Sequence, residues 1–168
     1  ALHLAEVARE HKIDTARLPV RMVVVAGEPG GSIPAVRARI AEAWGADVLD
    51  HAGATEVGPW GAGTLAGGGI DVIEPCFHAE FLAVETGRPA KPGELSELVL
   101  TTLGRTGAPV IRYRTGDLVR PHWPAAGTAC PWVRLAGGIL GRTDDMLVIR
   151  GINAVSYTHL RAHETEAD

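Results

Sequence analysis

The sequence predicts an α/β fold in which a parallel βαβ unit is followed by a small β-barrel-like subdomain. Three observations carry that expectation. RMVVVAG at 21–27 is a continuous apolar, β-branched run ended by glycine, which suits a strand of a parallel sheet buried on both faces. A helical pattern and a second short strand, ADVLDHAG, follow it directly. Past Gly61 the texture changes to short strand-like segments broken by turn residues, as in a meander or small barrel.

Taken in order, LHLAEVAREH at 2–11 reads as a helix already under way. The strand at 21–27 leads into a glycine-rich turn and then IPAVRARIAEAWG at 33–45. That segment has apolar residues at helical spacing, Ser32 as a candidate N-cap, Pro34 in the first turn and Gly45 as a stop. Strand, turn, helix and strand make a βαβ unit, whose ligands gather at the carboxyl ends of the strands. AGTLAGGGI is expected to be a loop, with DVIEP, FHAEFLAVE, ELVLTTL, VIRYRTGDLVRP and WVRLAGGILGR as the following strands. ETGRPAKPGELSE is turn-rich and reads as a hairpin tip between two of them. The expected division is 1–66 for the βαβ part, 67–143 for the β-rich subdomain, 144–154 for a hinge and the start of another domain, and 155–168 for a non-native tail. No internal repeat is visible.

Composition removes several function classes. Of 168 residues, 46% are hydrophobic and the net charge is −4, so the chain has a core's worth of apolar side chains and no basic footprint for nucleic acid or an anionic membrane. No stretch approaches the roughly 18 uncharged apolar residues of a membrane span, and the start has no basic segment ahead of an apolar run. A cytoplasmic location is the default expectation. The lysines are Lys12 and Lys91 against many arginines, with abundant Ala and Gly, a composition that suggests a GC-rich source. Cys76 and Cys130 are read as free thiols, the usual state inside a cell.

RYRTGD at 112–117 carries the strongest chemical signal. A Thr-Gly pair bends the backbone sharply, and the Asp that follows is able to accept two hydrogen bonds from adjacent hydroxyls, as a ribose diol offers. Alone, the same Asp fits a residue that satisfies local backbone donors. Its weight comes from AGEPGGS at 26–32, DHAGATEVG at 50–58 and GRTDDMLVIRG at 141–151. In this order the motifs resemble the adenylate-forming (AMP-binding) superfamily, and their wording is most similar to its phenylacetate-CoA ligase branch, over about residues 2–154. The resemblance implies a piece of the large N-terminal domain of such an enzyme.

The roles implied by that resemblance fall on named positions. Gly27, Glu28 and Pro29 would contact adenine, and Asp50 its amino group. Thr55 would hold a phosphate oxygen and Glu56 Mg²⁺, a pairing that suits a hard cation whose shell phosphates complete. Ala52 stands in the adenine-binding stretch where the family usually has an aromatic, so stacking is reduced. His51 and Gly53 would line the acyl pocket, although a structural histidine fits His51 equally. Asp117 would anchor the ribose. Arg142 would reach ribose or phosphate through its planar fork, or else form a surface ion pair with Asp144 or Asp145. Asp144 would be the hinge about which a C-terminal domain swings. AGEPGGS lacks GxGxxG spacing, which argues against a dinucleotide fingerprint.

The resemblance also frames the expected activity. It implies an ATP-dependent acid-CoA ligase that forms an acyl-adenylate and then a thioester, with an aromatic carboxylic acid as substrate, CoA as co-substrate and Mg²⁺ as cofactor. A carrier-protein thiol as acceptor, or a nucleotide-binding module without catalysis, are the alternatives. Neither Lys12 nor Lys91 lies in a motif matching the family's catalytic lysine, and the glycine-rich phosphate loop is missing, so this polypeptide alone is expected to be inactive. Cys76, His78 and Cys130, with His122 as a further candidate, could form a zinc site, but Cys-x-His is a weak ligand pair without a second close pair, and no structural zinc is expected. VSYTHLRAHET after GINA departs abruptly from the family and resembles a translated sequencing-library adapter; it is given no functional weight.

Overall fold

The computed structural model describes residues 1–27, 31–149 and 152–155, of which the side chains of 145–149 and 152–155 are left aside. It opens with α1 (Leu2–Glu10), a 3₁₀ turn (Thr15–Arg17), β1 (Met22–Ala26), α2 (Pro34–Trp44) and β2 (Asp47–Ala54). β1 and β2 are parallel, with Val25 beside Asp50 and Ala26 beside His51, which is the expected βαβ unit. α2 ends as its sequence dictates: Gly45 takes the left-handed conformation at φ 58°, where a side chain would be strained.

Its start differs from expectation. Ile33, not Ser32, is the N-cap, without a side-chain capping bond, and Pro34 occupies the first turn. Ser32 is withdrawn from capping because its hydroxyl is committed elsewhere, to Asp50.

β3 (Gly58–Gly63) follows as an antiparallel partner of β2. Its sequence, GPWGAG, has almost no strand propensity. The glycines are there for room: a Cβ on Gly61 would fall 2.6 Å from Ile70, and one on Gly63 would fall 2.9 Å from the Asp50 carbonyl oxygen. Trp60 between them is fully buried and anchors the strand.

The remaining strands are β4 (Gly69–Val72), β5 (Phe77–Ala83), β6 (Ser96–Thr102), β7 (Tyr113–Val119), β8 (Pro121–His122), β9 (Arg134–Ala136), β10 (Gly141–Arg142), β11 (Met146–Ile149) and β12 (Ile152–Val155). They do not follow one another round a single barrel. One sheet has the order β1-β2-β3-β4-β9-β8 and a second has β10-β7-β6-β5, with β11 and β12 as a separate hairpin. Residues from both larger sheets meet in one apolar core, including Trp60, Ile70 and Leu135 from the first and Phe81, Leu98, Leu100 and Val119 from the second. A smaller core of Val25, Ile40 and Val48 holds α2 against the parallel strands.

The stretch WVRLAGGILGR divides into β9 and β10 because Gly137 and Gly138 both take positive φ, 75° and 73°. That break carries the chain from the first sheet to the second.

Candidate functional site

RTGD does not end its strand. β7 continues through it, and the register of β6 against β7 steps from Val99↔Arg114 to Glu97↔Leu118. Thr115, Gly116 and Asp117 therefore stand opposite Leu98 alone. This is a bulge, and bulges re-aim side chains next to functional sites. Gly116 supplies the required φ of +76°. The buried Thr115 hydroxyl locks the distortion by donating to the Leu98 carbonyl at 3.0 Å and accepting from the Asp117 amide at 3.0 Å.

The bulge aims Asp117 at Arg142, whose register partner on β10 it is. Arg142 Nη1 donates to Asp117 Oδ1 and to the Thr115 carbonyl, each at 3.3 Å. The guanidinium also pairs with Asp144, Nε to Oδ1 at 3.3 Å. The expected ion pair of Arg142 with Asp144 is therefore present, and a second one joins Arg142 to Asp117. The Asp117 side chain is 15% exposed and that of Arg142 50%, so the pair sits at the rim of the fold. Burial holds the Asp117 carboxyl above its ordinary pKa; Arg142 and the Thr115 contact pull it down and Asp144 pushes it up.

Asp50 forms a second anchor. It is buried at the parallel edge, where Ser32 Oγ donates to Oδ2 at 2.5 Å and the His51 amide donates to Oδ1 at 3.0 Å. Three glycines make space around it. A Cβ on Gly31 would fall 2.5 Å from Oδ1, one on Gly138 would fall 2.8 Å from Ser32 Oγ, and Gly63 backs the Asp50 main chain. Gly138 and Arg142 are four residues apart, so at most about 14 Å of chain links the two anchors.

Thr55 and Glu56 lie exposed in the turn joining β2 to β3. Arg105 Nη1 donates to the Glu56 carbonyl at 2.8 Å. Desolvation first, then the charge of Glu56, holds the pKa of the half-buried Tyr113 above its usual value, with Arg142 pulling it down and Asp117 pushing it up. The turn is thus tied to the connection that leads into β7, the strand that carries Asp117. His51 is half-buried and Gly53 exposed beside it on β2, and Gly27 takes φ +69° where β1 ends.

Not every expected residue joins this group. Ala52 is 3% exposed and packs in the core, so its methyl is not presented to a ligand. Glu28 and Pro29 lie outside the described residues, as do 156–168 of the expected tail. Cys76 and Cys130 are free, and among the described residues no three His, Cys, Asp or Glu side chains converge on a point. No helix of the described residues is long and apolar enough to cross a membrane. Ser32, Arg105, Tyr113, Thr115 and Gly138 were not among the expected site residues. For Gly138 the signal was the Gly-Gly dipeptide, a turn marker inside an apparent strand.

Known proteins are similar to this chain in both sequence and fold. No family model matches the chain. It is 37% identical over 155 residues to a phenylacetate-coenzyme A ligase of Pseudomonas putida, covering 90% of this chain and 34% of that protein. With the phenylacetate-coenzyme A ligase of Escherichia coli K12 it shares 36% identity over 172 residues, covering 95% of this chain and 38% of that protein. A crystal structure of 2-hydroxyisobutyryl-CoA ligase, in an open conformation with 2-HIB-AMP and CoA, superposes with a TM-score of 0.83 at 34% identity, covering 99% of this chain and 39% of that one.

The chain belongs to the adenylate-forming superfamily, on its phenylacetate-CoA ligase branch. It spans about a third of the length of the curated relatives it matches. The expected α/β class and family resemblance stand on these matches. A more distant structural likeness, to an anthranilate CoA ligase at 21% identity and TM-score 0.53, shows the fold alone.

Proposed function

We propose that this chain contributes the nucleoside side of the active site of an ATP-dependent acid-CoA ligase. The observation that carries the proposal is the Asp117–Arg142 pair, built on a strand bulge whose bends are locked by Thr115 and Gly116. A carboxylate with an oxygen left for a diol, backed by a guanidinium able to reach ribose or phosphate, suits a nucleoside monophosphate.

In the proposed reaction a carboxylate oxygen of the acid attacks the α-phosphorus of ATP, forming the acyl-adenylate as pyrophosphate leaves. The CoA thiol then attacks the acyl carbon, forming the thioester as AMP leaves. Asp117 holds the ribose diol and Arg142 the adjacent oxygens. Gly27 lies against adenine; a carboxylate offers about four acceptor positions, so Asp50, with two in use among the described residues, has capacity to accept from the adenine amino group. Thr55 takes a phosphate oxygen. The exposed Glu56 carboxylate fits Mg²⁺ as a single hard ligand whose remaining partners are phosphate oxygens; the cation would supply charge neutralisation to the leaving pyrophosphate. His51 and Gly53 border the acyl pocket. Arg142 pairs with Asp144, proposed as the hinge, so ribose contact and domain rotation share one guanidinium. Positioning and charge placement supply most of the rate in such a site.

The substrate class is a carboxylic acid, and an aromatic one is favoured because curated relatives at 35–38% identity are phenylacetate-coenzyme A ligases. Hydroxamate trapping on an enzyme carrying this segment, with phenylacetate and 2-hydroxyisobutyrate and with or without CoA, tests the reading. Phenylacetate-dependent hydroxamate in the absence of CoA, and thioester in its presence, is the expected result. Trapping without any CoA thioester would shift the acceptor to a carrier-protein thiol. No acid-dependent pyrophosphate release with either acid would overturn the proposal.

A further inference from the structure

β10, the strand that carries Arg142, is two residues long and meets β7 through Gly141↔Leu118 and Arg142↔Asp117. So few pairs give a strand little local stability of its own. The turn ahead of it, Ala136 to Leu140, supplies what is missing, because it is fastened at three points. The Gly137 amide donates to the Gly68 carbonyl at 3.1 Å, the Gly138 amide to the Leu135 carbonyl at 3.0 Å and the Leu140 amide to the Leu118 carbonyl at 2.8 Å. Gly68 stands immediately before β4 of the first sheet, and Leu118 follows Asp117 on β7 of the second. The turn is therefore tied to both sheets.

Its middle rests on the Asp50 anchor. A Cβ on Gly138 would fall 2.8 Å from Ser32 Oγ, 3.0 Å from Ser32 Cβ and 3.4 Å from Asp50 Oδ2, so the main chain of the turn packs against those side chains with no room for another between them. The surface that Gly138 meets is firm: Ser32 and Asp50 are 5% and 8% exposed, and the hydroxyl of one donates to the carboxylate of the other. Gly138 also holds φ +73°, which a side chain would strain. Glycine is thus required twice at this position, for its conformation and for its space.

We propose that Gly138, backed by Ser32, is a positioning residue for Arg142, and that the turn it occupies is a strut setting the ribose anchor at a fixed place relative to the Asp50 anchor. Gly138 does not touch substrate. It acts through the chain: Leu140 is bonded to Leu118 and Arg142 is paired with Asp117, so a displacement at Gly138 is passed along four residues with both later contacts at stake. Small misplacements of a group that grips a ligand are costly. The strut is a claim about this fold; its effect on nucleotide binding rests on the ribose role proposed above for Asp117 and Arg142.

The test uses the full chain and its variants G138A, S32A, R142A and G138A/R142A, titrated with AMP and with 2′-deoxy-AMP, which lacks one of the two ribose hydroxyls. Loss of a single hydrogen bond corresponds to about three- to tenfold, so the wild-type chain is expected to prefer AMP by that factor. G138A should reduce the preference towards one, and G138A/R142A should bind AMP no more weakly than R142A, since both changes act on one group. Hydrogen exchange at the Leu140 amide should rise about three- to tenfold in G138A while Leu98 and Leu100 stay unchanged. S32A withdraws the backing without straining the turn; it disturbs Asp50 equally for both ligands, so a lower preference in this variant reads the strut and keeps the test valid if G138A fails to fold. An unchanged preference in S32A and in folded G138A, or effects of G138A and R142A that multiply, would overturn the proposal. If the wild-type chain binds both nucleotides equally, the ribose role falls, and the strut stands only if G138A still speeds Leu140 exchange and shifts the Arg142 Nε resonance.

Discussion

Gly116 lies against the guanidinium of Arg142: a Cβ at position 116 would sit 2.8 Å from Arg142 Nη2. The residue that bends the bulge thus also makes room for the cation that backs Asp117. The first prediction is that G116A does two separable kinds of damage. Its left-handed φ of +76° costs a non-glycine residue about 1–2 kcal/mol, readable as a lower denaturation midpoint. The displaced guanidinium weakens AMP binding beyond that loss, by about tenfold, the scale of a charge-assisted hydrogen bond. Equal AMP affinity in a folded G116A would show that Arg142 does not depend on this space.

Asp117 gives the second prediction, through its raised pKa. A carboxyl that ionises less readily when folded than when unfolded makes the native state less stable once it is charged. Below the ordinary value of 3.8 both states are protonated and no penalty exists. As pH rises from there through the elevated native value the penalty develops, and it is complete above it. D117N removes it. Thermal melts should therefore show D117N more stable than wild type at pH 7, with the difference shrinking as pH falls through the carboxylate range. The same variant should bind AMP more weakly, since it replaces an acceptor of both ribose hydroxyls by a group that accepts through one oxygen. Greater stability with lower affinity is the pattern of a site residue held against its own preference.

The third prediction concerns the Asp50 anchor. S32A leaves Oδ2 of a buried carboxylate without its donor, a loss of about 1–3 kcal/mol. G31A should cost a similar amount by overpacking, since its Cβ would meet Asp50 Oδ1 at 2.5 Å. Urea midpoints check both. Additive losses in S32A/G31A would contradict a shared anchor, because neighbouring sites that act on one group couple.

Much of this was legible in the sequence and some was not, for reasons visible in particular residues. The βαβ unit was readable because β1 and β2 are bounded by their own glycines and α2 by Pro34 and Gly45. β3 was hidden, because its glycines answer to the side chains opposite them, Ile70 above all, and not to strand propensity. Asp117 and Arg142 were both singled out, yet their meeting depends on β10 pairing with β7 across a bulge, and pairing is not local. Ser32 looked like an N-cap since hydroxyls commonly are; the nearby buried carboxylate outcompeted the helix for it. Tyr113 sat inside the most informative motif and went unremarked, because Glu56, whose charge raises its pKa, lies on a different hairpin.

Thr115 supplies the fourth prediction. T115V keeps the shape and removes the hydroxyl that bonds both the Leu98 carbonyl and the Asp117 amide. About 1–3 kcal/mol of stability should go. Hydrogen exchange at the Asp117 amide should rise further than at Val99, since the bulge loses its lock while the flanking ladder persists. Uniform acceleration along β7 would mean that the hydroxyl stabilises the sheet generally and does not hold the bulge.

The central claim is that Asp117, Arg142 and the end of the parallel strand pair form one nucleotide site. Titrating the isotope-labelled chain with AMP, and following backbone amide shifts, tests it most directly. The account predicts weak, saturable shifts at Gly27, His51, Gly116, Asp117 and Arg142, abolished in D117A, with inorganic phosphate reproducing none of the changes at Gly116 and Asp117. Shifts confined to α1 and α2, or an unchanged titration in D117A, would contradict it.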